Sequence, residues 1–246
     1  MGLLLAFSPV CLATHFDFVE IGTSDFNALI QKADGTTRGL SVEALKVYQD
    51  KLPNPVGVKK VNAAIVGNSS IDHLDFYYVH PSDIEKHELP AFLRGCNQVF
   101  QPHRLAVQEL AKRGLPHLMR HDRVPALTFD GLAKQEGITS IGMLKLDAEG
   151  QETNIIESLV QAAKDDHRLW PTRIKYETAV HMNPAMKHHL LGLLHANKYV
   201  LIRNEEDGTI APHANDAVHL RVTNTEALVA ELVAEQQRNA RCAATV

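Results

Sequence analysis

Chemistry concentrates first in MLKLDAEGQETNII, residues 143–156, where Lys145, Asp147 and Glu149 alternate with apolar residues until Gly150 breaks the run. Alternation places the three on one strand face and leaves both carboxylates at the strand's carboxyl end, with Glu152 on the first turn of the following helix. A buried unpaired charge is costly, so a lysine inside an apolar strand calls for these acids as partners, and the pairing builds a polar pocket at the sheet rim. Carboxylates so placed can take a proton from a hydroxyl or hold a cation. With Glu177, after a later strand, they would form an oxygen-rich set suited to a divalent metal. Carboxylates more often simply bind lysine and backbone amides, so a metal is possible but not favoured.

The second group lies in FDFVEIGTSDFNALI, residues 16–30, an apolar strand that runs into Glu20 and turns at Gly22. Glycine allows a sharp turn and close approach to a ligand, and the next helix offers its first amides to an anionic group. One glycine after a strand is weak by itself. Glu43 adds to it, because an acid at the end of the second strand can accept both ribose hydroxyls of an adenosine-type cofactor. The helix dipole also favours an acid there, and both causes can hold together. Asn62, Ala63 and Ala64 end the third strand with small residues and an amide, where an adenine ring needs a close backbone.

These sites need elements to hold them. Short β-rich runs alternate with helical ones, the pattern of a parallel sheet covered on both faces. Strands are expected at 16–21, 37–42, 58–66, 141–147 and 173–178, with a closing pair in KYVLIRNEEDGTIAP and DAVHLRV. EALKVYQDKL carries Leu45, Tyr48 and Leu52 at helical spacing, KHHLLGLLHANK carries Leu190, Leu193 and Leu194, and a last helix is expected in TNTEALVAELVAEQQRNA. The interval 68–123 does not fit the repeat. It holds an expected strand, LDFYYV, and an expected helix around RLAVQELAKR, and we read it as a substrate-facing insertion in a single domain spanning 1–246. Tyr77 and Tyr78 point to opposite faces of that strand, so only one can face a pocket.

Composition narrows the function. The chain has 246 residues, 45% hydrophobic and 22% charged, with a net charge of -4. Nothing in that balance draws it to nucleic acid or to an anionic membrane, so a small-molecule substrate is expected. Cys11, Cys96 and Cys242 are odd in number and far apart, the usage of a reducing, cytoplasmic setting with free thiols. Residues 2–13 are apolar but lack a basic start and are too short to span a bilayer, so a folded element is expected there. Of the 14 histidines, most fall in loops or on exposed helix faces. His181, just past the fifth strand, is the best placed as a base, and His80 is second.

VEIGTSDF, GLSVEALKVYQDKL, VNAAIVG and above all VPALTFDGLAKQ followed by MLKLDAEGQETNII resemble the FkbM-type family of S-adenosylmethionine-dependent methyltransferases. The resemblance covers residues 16–67 and 124–178. It implies a Rossmann-like class I methyltransferase fold, an α/β architecture whose mostly parallel seven-stranded sheet has a terminal antiparallel hairpin; the interval 68–123, read above as an insertion after the third strand, is not explained by it. It also implies S-adenosylmethionine as donor, with Glu20 and Gly22 against the methionine part, Glu43 on the ribose, Asn62 and Ala63 at the adenine, and Asp147 beside the sulfonium. Ser24 stands where the family commonly has Asn, and Phe26 where it commonly has a second glycine; Ser24 and Asp25 still offer polar contacts to an amino-acid moiety. Asp147, Glu149 and His181 are the catalytic candidates. Family members methylate hydroxyls of sugars and secondary metabolites, which implies O-methylation of a small or sugar-containing molecule. Two other classes compete. A degenerate methyltransferase fold could serve as a binding partner, and a nicotinamide-dependent oxidoreductase would share the first turn, although Gly22, Ser24 and Asn27 lack its G-x-G-x-x-G spacing.

Overall fold

The computed structural model describes residues 14–24, 28–148, 150–177, 184–206 and 215–221. In chain order its strands are β1 (Thr14–Ile21), β2 (Gly39–Val42), β3 (Val58–Val61), β4 (Ala64–Val66), β5 (His73–Val79), β6 (Gln98–Val99), β7 (Met119–Thr128), β8 (Ile138–Leu146), β9 (Arg173–Glu177), β10 (Tyr199–Glu206) and β11 (Asn215–Arg221). The α-helices are α1 (Lys46–Gln49), α2 (Pro81–Lys86), α3 (Arg104–Lys112), α4 (Phe129–Glu136), α5 (Glu152–Asp165) and α6 (Pro184–Ala196).

β1 is buried without a break from Phe18 to Ile21, as suits a strand covered on both faces. It lies inside a seven-stranded sheet of order β10-β11-β9-β8-β1-β2-β3. β9, β8, β1, β2 and β3 run parallel, and β11 pairs antiparallel with both β9 and β10. The chain leaves β1 toward β3 on one side and later returns to β8 on the other. The order therefore reverses between β1 and β8, where an open α/β sheet presents its ligand crevice.

Register decides which polar side chains meet. Glu20 is level with Lys145 on β8 and Ser41 on β2, Ser41 is level with Lys60, and Lys145 with Lys175. Paired residues of neighbouring strands point to the same face, so one polar row crosses the sheet just below its carboxyl rim. Lys60 ends the row by donating to the carbonyls of Gln49 and Leu52, at the end of the α1 turn. The apolar core lies between this sheet and α4 and α5, with Leu132, Leu144, Ile155, Ile156 and Leu159 nearly water-free.

The expected third strand, 58–66, is two strands in two sheets. β3 joins the large sheet, whereas β4 pairs with β7 in a four-stranded sheet of order β4-β7-β5-β6. The break falls at Asn62, whose amide donates to the carbonyls of Glu43 and Ala44 and so turns the chain away from β2. Most of this smaller sheet comes from the interval 68–123, with the expected strand and helix there appearing as β5 and α3. Its inner face packs Leu74, Tyr78, Val99, Val124 and Ala126 against Leu45 and Tyr48 beside the α1 turn. Tyr78 is the buried member of the tyrosine pair and donates to Asp122, whereas Tyr77 lies against His121.

The helix expected at EALKVYQDKL is shorter than its stripe. Leu45, Tyr48 and Leu52 are all buried, but the α-helix covers only Lys46–Gln49, and Pro53 prevents Leu52 from continuing it. Residues 1–13, Cys11, Cys242 and the expected last helix lie outside the described residues, while Cys96 is buried. Among the described residues no helix is long and apolar enough to cross a membrane.

Candidate functional site

A cleft opens at the carboxyl ends of β1, β2 and β8 and continues over the break between β3 and β4. Gly22, Ser24, Glu43, Ala63 and Asp147 all line it. Gly22 makes the first turn possible. Its φ is 78°, its N–H donates to Val42, and a Cβ built on it would stand 1.8 Å from the carbonyl oxygen of Asp147. Two backbones therefore touch at the point where the strand order reverses, and only glycine fits between them.

The chain turns left-handed again two residues on, at Ser24 with φ 50°, a conformation that Asn and Gly adopt more readily than Ser. That twist turns the Ser24 N–H onto Oε2 of Glu43 at 2.7 Å, while Leu45 N–H reaches Oε1 at 2.8 Å. Each carboxylate oxygen keeps lone-pair capacity for a further donor. Thr23 secures the same turn by bonding the Ser41 hydroxyl and donating to the Val42 carbonyl. The Ser24 hydroxyl is screened from water and has no hydrogen-bond partner among the described residues.

Burial pushes the Glu43 carboxyl up to about 7; its two main-chain hydrogen bonds oppose the rise, and the charge of Asp147 adds to it. The sign for stability follows. Glu43 still holds its proton in the folded chain at pH values where the unfolded carboxyl, near 4.5, has lost it, so its contribution is full below about 4.5 and lost as pH rises through about 7. The loss is about 3 kcal/mol by linkage. In thermal melts at pH 5 and pH 8, Glu43→Gln should remove roughly 6–12 °C of the pH-dependent fall in Tm. Parallel falls in the two proteins would clear Glu43 of that role.

Glu20 and Asn62 do not line the cleft, contrary to the expectation that they touch a donor. Glu20 is fully buried behind it, bound to Lys145 Nζ at 2.8 Å and to the Leu29 N–H at 2.8 Å. Burial raises its carboxyl above the ordinary range, and Lys145 opposes the shift without cancelling it. Lys145 thus holds β1 to β8 and does not face the ligand space. Asn62 spends its amide on the Glu43 and Ala44 carbonyls, shaping the loop that presents Glu43. Both act through another residue.

Asp147 follows β8 directly, half-buried at the cleft, with its N–H donating to Ile21. Beyond it, Glu152 at the start of α5 accepts the Ala148 N–H and so ties the loop after β8 to the helix. Asp25, Glu149 and His181 lie outside the described residues, as does the side chain of Glu177. His80 is not at the cleft; its Nδ1 caps α2 through Ser82. Among the described residues no cluster of histidine, cysteine and carboxylates has the arrangement to hold a metal ion.

Other lining residues carry no motif. Leu74, Phe76 and Val99 of the smaller sheet, with Gly95 and Asn97 just before β6, line the cleft together with Ala63, Ala64 and Ile65. Gln151 lies beside Asp147 and was within reach of the motif in LKLDAEGQE. For the wall from 68–123 the only signal was the anomalous length of the interval.

A family model described as Methyltransferase FkbM domain matches residues 15–201, which takes in both resembling stretches and the interval between them. No curated protein sequence matches the chain. A solved structure described as "Human methyltransferase 10 domain containing protein" aligns over 88% of this chain and 76% of that one, at 9% identity and a TM-score of 0.40.

Proposed function

Because the chain belongs to the FkbM methyltransferase family, we propose that it moves a methyl group from S-adenosylmethionine to a hydroxyl of a small or sugar-containing molecule. The family implies the donor. The observation that carries the site assignment is that Gly22, Ser24, Glu43, Ala63 and Asp147, from separate parts of the chain, line one cleft. These residues suit such a donor: a buried carboxylate with spare acceptor capacity, an unpartnered hydroxyl and a backbone turn too tight for any Cβ.

When bound, S-adenosylmethionine supplies a methyl group activated by a cationic sulfur. The chain has to orient two partners and remove one proton. Glu43 accepts hydrogen bonds from the ribose hydroxyls, Ser24 and Asp25 take polar atoms of the amino-acid part, and Ala63 leaves room for the base. A carboxylate oxygen of Asp147 would take the proton of the acceptor hydroxyl while the bound donor supplies the methyl group. Glu149 and His181 are the further candidates for that proton. A divalent metal is not part of this reading. The modest net charge of -4 supports a diffusible small-molecule acceptor over nucleic acid or a membrane surface, and the scattered cysteines support a cytoplasmic setting.

Calorimetric titration with S-adenosylmethionine, S-adenosylhomocysteine and NAD tests the reading. Heat with both sulfur nucleosides and none with NAD is expected; silence toward both would sink it. Asp147→Asn should keep S-adenosylhomocysteine affinity within about threefold while lowering methyl transfer to hydroxyl acceptors about 100-fold or more. If affinity and turnover fell together, Asp147 would be a binding residue only.

A further inference from the structure

We propose that Asn97 reads the 6-amino group of the donor's adenine, so that the smaller sheet selects the base; the assignment rests on the methyltransferase reading above. Asn97 sits just before β6 and lines the cleft with Phe76, Val99, Ala63 and Ile65. Its Nδ2 donates to the Arg94 carbonyl at 2.9 Å. That bond orients the amide and leaves Oδ1 as the atom with acceptor capacity to spare. Oδ1 is screened from water and has no hydrogen-bond partner among the described residues. The same Arg94 carbonyl also accepts from the Tyr48 hydroxyl at 3.2 Å, which ties the Asn97 turn to α1, the helix that follows Glu43.

Position along the cleft points to the base. The rim of the large sheet runs from Asp147 on β8 past Gly22 on β1 to Glu43 on β2 and Ala63 after β3. A nucleoside whose ribose is held at Glu43, with its reactive group toward Asp147, carries its base toward Ala63 and the smaller sheet. Leu74, Phe76 and Val99 offer that base an apolar surface with few polar groups to fix its identity. Asn97, whose Oδ1 has no partner among the described residues, lines the cleft with them. Adenine presents an N–H donor at position 6, which satisfies a buried acceptor. A 6-oxo purine presents a carbonyl there and sets lone pair against lone pair. Leaving a buried acceptor unpaired is worth about 10- to 100-fold in binding, so the choice of base should be of that size.

The test is calorimetric titration of the full chain with S-adenosylhomocysteine and with its 6-oxo analogue, S-inosylhomocysteine. The unaltered protein should prefer the 6-amino ligand by about 10- to 100-fold. Asn97→Leu should weaken S-adenosylhomocysteine by a similar factor, leave the 6-oxo ligand nearly unchanged and bring the ratio close to one. Should Asn97→Leu fail to fold, Asn97→Ser, a smaller side chain, carries the same comparison. An unaltered protein that binds both ligands equally, or a variant that keeps the preference, overturns the role of Asn97 alone. An unaltered protein that binds neither overturns the methyltransferase reading, and this inference with it.

Discussion

Gly22→Ala should destabilise the folded chain by more than ~3 kcal/mol and abolish S-adenosylhomocysteine binding in whatever fraction folds. Two costs combine. The left-handed backbone, with φ at 78°, costs an alanine about 1–2 kcal/mol. The added Cβ would also fall 1.8 Å from the Asp147 carbonyl oxygen, a backbone atom that cannot swing away as a flexible side chain could. Relief requires the β1 turn and the end of β8 to separate, and these are the two segments that bring Gly22 and Asp147 to one cleft. Gly114→Ala separates the two costs, because Gly114 has φ at 70° but nothing within 4 Å of its Cβ position. That control should lose only the conformational part and bind S-adenosylhomocysteine normally. Thermal melts and calorimetry on both variants measure this, and equal losses in the two would mean that the contact with Asp147 is unimportant.

Lys145→Met should cost about 3–5 kcal/mol near pH 8, because it takes the counter-ion from the fully buried Glu20. The pH dependence has a definite sign. Burial already raises the Glu20 carboxyl, and removing Lys145 removes the main opposing influence, so the folded-state value rises further. The penalty is then absent at pH values below the unfolded carboxyl, near 4.5, where Glu20 is protonated in both states, and it grows as pH rises through the folded value. The gap in Tm between variant and parent should therefore be much smaller at pH 5 than at pH 8. Pairing the change with Glu20→Gln should recover most of the loss, since neither buried charge then remains. A double variant as unstable as the single one would show that packing, not charge, is what Lys145 contributes.

The chain's own pattern was enough to locate Gly22, Glu43, Ala63 and Asp147 at strand ends. Each follows a run of strand length, and a strand's carboxyl end in an alternating β/α pattern is a position that local sequence can mark. The same local logic failed where a residue's surroundings depend on distant chain. A lysine in an apolar strand signalled a buried partner, and a partner it finds is Glu20, 125 residues away on another strand. Asn62 looked like a ligand amide and instead turns inward, because two carbonyls of the Glu43 loop lie within reach once β2 and β3 are paired. The run 58–66 looked like one strand, since alternation reveals a face and not which sheet each half will join.

The amino-acid sequence alone determined the α/β class, the family and which strand ends form most of the cleft rim, because these rest on short-range patterns of strand, turn and helix that a few consecutive residues impose. Tertiary structure alone decided that Glu20 and Asn62 support the cleft from behind, and that residues of 68–123 close it as a second sheet. Both outcomes depend on register and packing between segments far apart in the chain, which no local spacing encodes.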